Sequence, residues 1–362
     1  MALAGDGMAV DVPRAKTLFE QAIAAGYEKV GWVALGDLYR GDNDLHDLAK
    51  AAEAYQNAAD AGDTTSLLTL ARMALAGDGM AVPPDPPRAI EYLSIAADLG
   101  STDARLRLGE MIARGEGIAQ DTSLGFAILS EVAAAGDVRG IVAIGDLYAN
   151  GSVGPVDGSA AIDAYQAAAS RGSADAMMKL GYAYRDGKMV GADGALAVRY
   201  FNMAIDAGQA VARVVLGRGH LERRFAGVSS PVEGIETLVD AERLGVPEAA
   251  VAISNAYLNG TGVGRDARRA MLTLEVAAQD GNVQAARRLI EIYRDGHPPL
   301  ISPNRSKAES YLQQFANLLD SRALVTQEIL LKAAGGSSPS VYDAIYRDLF
   351  GRVHQPGRRS IV

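Results

Sequence analysis

The 362-residue chain has no cysteine, which excludes disulfides, thiol nucleophiles and thiolate metal sites. That fits either a cytosolic or a periplasmic protein. Aromatic residues make up only 6% of the chain, and Trp32 is the single tryptophan. With 40 glycines and abundant alanine, this mix suits closely packed helices better than a sheet sandwich. The four histidines, His46, His220, His297 and His354, are scattered, with no His-x-x-x-His pair to hold a metal or build a base. No run of 18 apolar residues exists to span a bilayer. Basic residues are also in deficit: the net charge of −9 argues against a general nucleic-acid binder. The deficit is uneven, since from Ile301 onward eight Lys/Arg face five Asp/Glu.

What is present is repetition. "MALAGDGMAV" occurs at Met1–Val10 and again at Met73–Val82, both times leading into Pro-Arg-Ala. Aligning the ends of apolar stripes gives Gly26, Gly62, Gly100, Gly136, Gly172, Gly208, Gly245 and Gly281, at intervals of 36 to 38 residues. One unit, Ser173–Gly208, carries Ala176, Leu180 and Tyr184, then Gly187, then Ala197, Phe201, Ala204 and Ile205. Both stripes have the 3.6-residue period of an amphipathic helix. A glycine just past each stripe fits a left-handed C-terminal cap. Each unit therefore reads helix, loop, helix.

Small residues recur inside the first helix at Gly36, Ala71, Gly109, Gly145, Gly181, Gly217 and Ser254. An interior glycine costs about 1 kcal/mol relative to alanine, so a repeated one predicts a helix pressed close by. Alanines such as Ala161, Ala197 and Ala270 are expected to form the other half of that contact. Tyr39, Tyr148, Tyr184, Tyr257 and Tyr293 form a stripe read as packing between repeats rather than binding a ligand. Asp37 and Asp146, at equivalent positions of different repeats, read as exposed or capping residues and not as one catalytic cleft. "GTGVG" at Gly260–Gly264 follows a helix and lacks the Lys-Ser/Thr of a phosphate-binding loop, so it reads as an interhelical turn. No nucleophile–base constellation is visible. The expectation is no catalytic residue, no cofactor and no metal.

The pattern LG-x-x-Y … G-x-G-V … A-x-x-Y-x-x-A-A-x-x-G, seen in "ALGDLYRG", "AIGDLYANG", "AYLNGTGVGRDARRA" and "AIDAYQAAASRG", resembles Sel1-like repeats, relatives of tetratricopeptide repeats. The resemblance covers residues 1 to about 320. It implies an all-α fold, a right-handed α-solenoid of about nine helix pairs over residues 1–321, the first incomplete. Residues 322–352 are expected to be capping helices and 353–362 a disordered tail. Because the chain starts inside a repeat, a native N-terminus with any signal or lipid-anchor cysteine is expected to be missing.

Two places depart from the pattern. The loop "GHLERRFAGVSSPVEG" puts Arg223, Arg224 and Phe225 where other repeats have small residues. It reads either as a longer loop with a solvated basic pair or as a protruding partner contact, since Arg and aromatic side chains anchor interfaces. Near the C-terminus, "VYDAIYRDLFGRV" spaces Tyr342, Ile345, Tyr346 and Phe350 along one helical face. It reads either as a cap or as a docking helix for a partner.

A solenoid without a catalytic cluster is expected to hold other proteins over an extended surface. The stretch from Tyr184 to Gly245 also resembles the corresponding region of the alginate-export lipoproteins. That resemblance implies a periplasmic scaffold attached to the outer membrane, linking an exopolysaccharide porin to polymer-modifying and synthase components. Polysaccharide binding is a secondary expectation, and the membrane would be met only through a lipid anchor. The alternative is a periplasmic Sel1-like regulator that binds a sensor kinase or another signalling partner. A β-lactam hydrolase of the repeat family is disfavoured, because those members are rich in paired cysteines.

Overall fold

Most helices start or stop on residues that recur with the repeat. The computed structural model describes residues 11–41, 43–77, 83–152 and 154–315, which form two alternating kinds of helix. The first kind comprises α2 (Glu28–Arg40), α4 (Thr64–Ala76), α6 (Thr102–Arg114), α8 (Val138–Asn150), α10 (Ala174–Asp186), α12 (Val211–Leu221), α14 (Pro247–Asn259) and α16 (Val283–Asp295). The second comprises α1 (Val12–Ala24), α3 (Leu48–Asp60), α5 (Pro86–Asp98), α7 (Thr122–Ala134), α9 (Gly158–Ser170), α11 (Gly194–Asp206), α13 (Pro231–Arg243), α15 (Ala267–Gln279) and α17 (Arg305–Gln314). Among the described residues there are thus eight complete pairs, α2/α3 to α16/α17, with α1 before them.

Helices of the second kind begin on Asp11, Asp47, Asp85, Asp121, Asp157, Asp193 and Asp266, with Ser230 and Asn304 in the other two. Each of these side chains accepts a first-turn N–H; Asp193 Oδ1, for example, accepts from Leu196 N at 2.9 Å. A cap of this kind contributes about 1 kcal/mol. Eight of these nine helices, α1 to α15, end on the eight glycines of the 36-residue series, whose φ runs from +73° at Gly245 to +96° at Gly136. A Cβ at any of the eight would meet nothing within 4 Å, so these glycines are there for their backbone conformation. The turns are three or four residues long, and a connection that short folds consecutive helices back antiparallel.

Within a pair, the interior glycine of the first helix receives a buried ring or leucine of the second. A Cβ on Gly36 would lie 2.6 Å from Tyr55 Cε1, on Gly109 2.9 Å from Leu129 Cγ, on Gly145 2.6 Å from Tyr165 Cε1 and on Gly217 2.7 Å from Leu238 Cγ. The expected close contact is therefore present, but its partner is a ring or a leucine. The small position of the second helix, occupied by Ala161, Ala197 and Ala270 and all fully buried, does the complementary work. At the equivalent Gly234, a Cβ would come 2.8 Å from Gly217 O, and one on Gly217 would come 2.8 Å from Gly234 O. Small residues on both helices bring the backbones together; the large side chain then lies over the gap.

Packing divides the chain into two compact units, residues 1–176 and 177–362, with the division inside α10. In the first, Leu35 and Leu38 pack with Ala54 and Trp32, and Tyr55, Leu67, Leu93 and Met111 share one continuous core. In the second, Leu238 and Ile253 belong to one cluster, and Leu258, Leu274, Leu289 and Ile290 to the next. Each unit is all-α and repeats the same helix pair as a solenoid; within the first, α4/α5, α6/α7 and α8/α9 pack in succession, and within the second, α12/α13, α14/α15 and α16/α17 do. Of the twice-occurring decapeptide, Met73–Ala76 closes α4 and Gly77 turns the chain at φ +64°. The first copy lies outside the described residues, as do the expected capping and tail segments with Tyr342, Tyr346 and Phe350.

Candidate interaction surface

The repeat that departs most in sequence, α12 and α13, is also the one whose connection is rebuilt. Where α6 and α8 carry Met111 and Leu147, both fully buried, and the adjacent α10 and α14 carry Ala183 and Ala256, α12 has Gly219. Phe225 enters that vacated space: a Cβ on Gly219 would lie 2.3 Å from Phe225 Cζ. Its ring packs against Phe201, with centroids 6.0 Å apart, and edge-on to His220 at 5.0 Å. Phe225 is 1% exposed. This corrects the expectation of an exposed aromatic anchor; the ring replaces the core side chain that the helix lacks. Ser229 Oγ accepts from Phe225 N at 2.9 Å and donates to Phe225 O at 2.8 Å, fixing the wedge in the loop.

Arg223 and Arg224 are exposed, as the sequence suggests. Arg223 has φ +56° and occupies the position where Gly187 and Gly260 turn the chain in adjacent repeats. Arg224 Nε lies 3.2 Å from Glu222 Oε2, and Arg218 Nη2 lies 3.4 Å from Glu222 Oε1. Both guanidiniums therefore converge on one carboxylate at the end of α12.

Glu222 sits on the rim of a groove of about 330 Å³ formed by three helices of the first kind, α12, α14 and α16. Val214, Leu221 and Val251 give it an apolar floor, while Arg218, Glu248, Asn255 and Gln284 give it polar walls. The polar groups are cross-linked along the array. Gln284 Nε2 donates to Glu248 at 3.3 Å, and Arg288 Nη2 donates to Asn255 Oδ1 at 3.2 Å while pairing with Glu291 at 3.1 Å. Arg107, in the equivalent place on α6, pairs with Glu110 at 3.2 Å in the other unit. An apolar floor with pre-ordered, mixed polar walls suits a polypeptide, which offers both side chains and backbone hydrogen-bonding groups.

The tyrosine stripe packs, and on two kinds of neighbour. Tyr148 meets Phe126 of the preceding pair edge-on at 6.0 Å. Tyr184 instead stacks on Tyr200, and Tyr293 on Tyr311, inside their own pairs, at 5.6 and 5.4 Å. Basic residues at one fixed place on the second helix lie over these rings: Lys50 over Tyr39, Arg269 over Tyr257 and Lys307 over Tyr293. In the rebuilt repeat, His220 takes the tyrosine's place and Glu233 that of the cation, with Nε2 to Oε2 at 3.8 Å. His220 is 3% exposed, and its Nδ1 accepts from Ser230 N at 3.1 Å. Burial holds its pKa below the usual histidine value, against the opposing pull of Glu233.

Asp37 and Asp146 have a role that sequence spacing alone did not reveal. Each accepts a hydrogen bond from the buried tyrosine of its own pair, Tyr55 and Tyr165, at 2.6 Å. Burial, then these bonds, push both tyrosine pKa values up. Among the described residues no group of three or more His, Asp and Glu is assembled as a metal site, and no helix is long and apolar enough to cross a membrane.

The Sel1 repeat model matches residues 1–27, 68–101, 102–137, 139–173, 174–209, 247–282 and 283–318, well over half of the chain. The chain belongs to the Sel1 repeat family, whose members are generally protein–protein interaction scaffolds. The matches pass over residues 28–67 and 210–246, the second of these being the repeat rebuilt around Phe225. Among solved structures, the chain is similar to a protective antigen of uropathogenic Escherichia coli strains, at 22% identity over 100% of this chain and 79% of that one, with a TM-score of 0.46. It is also similar to a Sel1 repeat protein from Oxalobacter formigenes, at 25% identity over 87% and 89% of the two chains, with a TM-score of 0.44. No curated protein matches the chain by sequence.

Proposed function

We propose that this chain is a non-catalytic scaffold that holds a partner polypeptide in the α12–α14–α16 groove. The observation that carries this reading is the groove itself: an apolar floor, polar walls held in place by Gln284–Glu248 and Arg288–Asn255, and the Arg218–Glu222–Arg224 cluster at its rim. Such charged rims steer association and set register, while the floor contributes affinity.

The partners fitted best by the resemblance of this region to alginate-export lipoproteins are an outer-membrane porin and the polymer-modifying or synthase components of an exopolysaccharide secretion complex. On this reading the protein works in the periplasm, attached to the outer membrane through an anchor. Fractionation of the native protein into cytosol, periplasm and outer membrane tests the location, and a cytosolic result overturns it. A pulldown tests the groove. Arg218→Glu with Arg224→Glu should keep the melting temperature and lose the secretion components; retention of those components by the variant overturns the groove assignment.

A further inference from the structure

His220 is a buried titratable side chain at the wall of the partner groove. It is the next-to-last residue of α12, between Arg218 and Leu221, which both line the groove. The first turn of α13 lies against it: a Cβ on Gly234 would come 3.1 Å from His220 Cβ and 2.9 Å from Leu221 Cγ. The loop from Glu222 to Ser230 joins these two helix ends and carries Phe225, edge-on to the imidazole, together with the rim residues Glu222 and Arg224. One hydrogen bond closes that loop onto the helix. A backbone N–H can only donate, so the 3.1 Å contact from Ser230 N makes His220 Nδ1 an acceptor. The neutral ring therefore carries its proton on Nε2, and a second proton has one place to go, Nδ1. Once it is there, two N–H groups face each other and the closure is lost.

We propose that His220 is a proton-operated latch on the partner groove: a proton on Nδ1 frees the 222–230 loop from the end of α12, slackens the groove's rim and releases the partner. The release rests on the assignment of the groove to a partner; the latch itself does not. Burial keeps the ring neutral near pH 7, so the latch is closed there and opens in acid. One carboxylate stands ready for the charged ring. Glu233 Oε2 lies 3.8 Å from Nε2, with 64% of its side chain exposed, so it can follow an imidazolium that turns outward. The other charges on the packed elements are Arg199 and Asp206 of α11, Glu236 of α13 and Glu248 of α14, with Arg218, Glu222, Arg223 and Arg224 at the end of α12. All of these are exposed, and among the described residues Glu233 alone is in ion-pair range of the ring.

The chain has no native cysteine, so a single nitroxide label on the full chain reports one place. Val228→Cys puts the label on the loop, at a side chain 41% exposed, and Leu124→Cys on α7, 49% exposed, is the control. From about pH 7.5 to about pH 5 the loop label should become severalfold more mobile while the control keeps its spectrum. His220→Asn, whose amide oxygen can accept from Ser230 N and takes up no proton, should hold the loop still over the same range. A loop label that stays ordered in acid, or that loosens equally in His220→Asn, overturns the latch. Should His220→Asn fail to fold, Glu233→Gln carries the test at an exposed side chain. It removes the charge that favours the imidazolium and should move the transition to lower pH; an unmoved transition overturns the latch. The pulldown of the secretion components reads the release. Recovery by the native chain should fall severalfold at about pH 5.5 and persist in His220→Asn, and undiminished recovery by the native chain overturns the release. No recovery even at neutral pH is instead the failure of the groove assignment, and the label then still decides the latch.

Discussion

The Cβ that Gly181 lacks would lie 2.7 Å from Cε1 of Phe201, closer than carbon atoms pack. The same geometry recurs at Gly36 with Tyr55 and at Gly145 with Tyr165, so it is a rule of the repeat. Because a glycine inside an exposed helix normally gains about 1 kcal/mol on change to alanine, the sign of the effect is diagnostic. Gly181→Ala should fail to stabilise the protein, and Gly181→Leu should cost about 1–3 kcal/mol through overpacking. Urea denaturation reads both. A melting curve unchanged in Gly181→Leu would show that the two helices can part without cost.

Gly172 makes the opposite case. A Cβ there would touch nothing within 4 Å, but φ is +88°. Gly172→Ala is expected to cost about 1 kcal/mol through backbone conformation alone. The two glycines thus separate crowding from conformation in one repeat, and no stability loss in Gly172→Ala would sink the conformational account of all eight turns.

Those eight turn glycines were fully legible in the sequence, because one conformation at one place in every unit leaves a strict period. The aspartate series that caps the second helices, from Asp11 to Asp266, has the same period and could have been found by the same alignment; it was hidden among many acidic residues. The burial of Phe225 is barely legible in the sequence for a different reason. Its neighbours in sequence are exposed arginines, whereas its environment is set by Gly219, whose missing side chain it replaces. The signal was present as a second glycine, two residues after Gly217, in α12. The groove was not legible at all, since it draws on three helices separated by tens of residues.

The cap series carries its own test. Asp193→Ala removes the acceptor for Leu196 N and should cost about 1 kcal/mol, while Asp193→Asn, which keeps an acceptor oxygen, should cost much less. Thermal melts of the two variants side by side decide it; equal losses would mean that the charge, not the hydrogen bond, is what matters.

Tyr55 is 2% exposed, and its hydroxyl donates to Asp37 at 2.6 Å. Tyr55→Phe preserves the packing against Gly36 and removes only that bond. Asp37 has 57% of its side chain exposed and can turn to water, so the loss should stay near the net value of one hydrogen bond, about 1 kcal/mol. Chemical denaturation of the variant measures it, and a loss several times larger would mean that the ring itself has moved.

His220 gives the fold a dependence on pH with a definite sign. Its folded pKa lies below the ordinary value of about 6.5, chiefly because the ring is buried, and its Nδ1 is occupied as an acceptor by Ser230 N–H. The unfolded chain therefore binds the proton more readily than the folded one. The contribution of His220 is complete above the unfolded value and is lost as pH falls below it toward the folded pKa. Protonation of Nδ1 also removes the bond that starts α13 and holds the loop over Phe225. Denaturation midpoints between pH 7.5 and 5 should fall more steeply in the native chain than in His220→Gln, which has no proton to take up. Parallel slopes for the two proteins would assign the acid sensitivity to the carboxylates and leave the buried histidine as a packing group only.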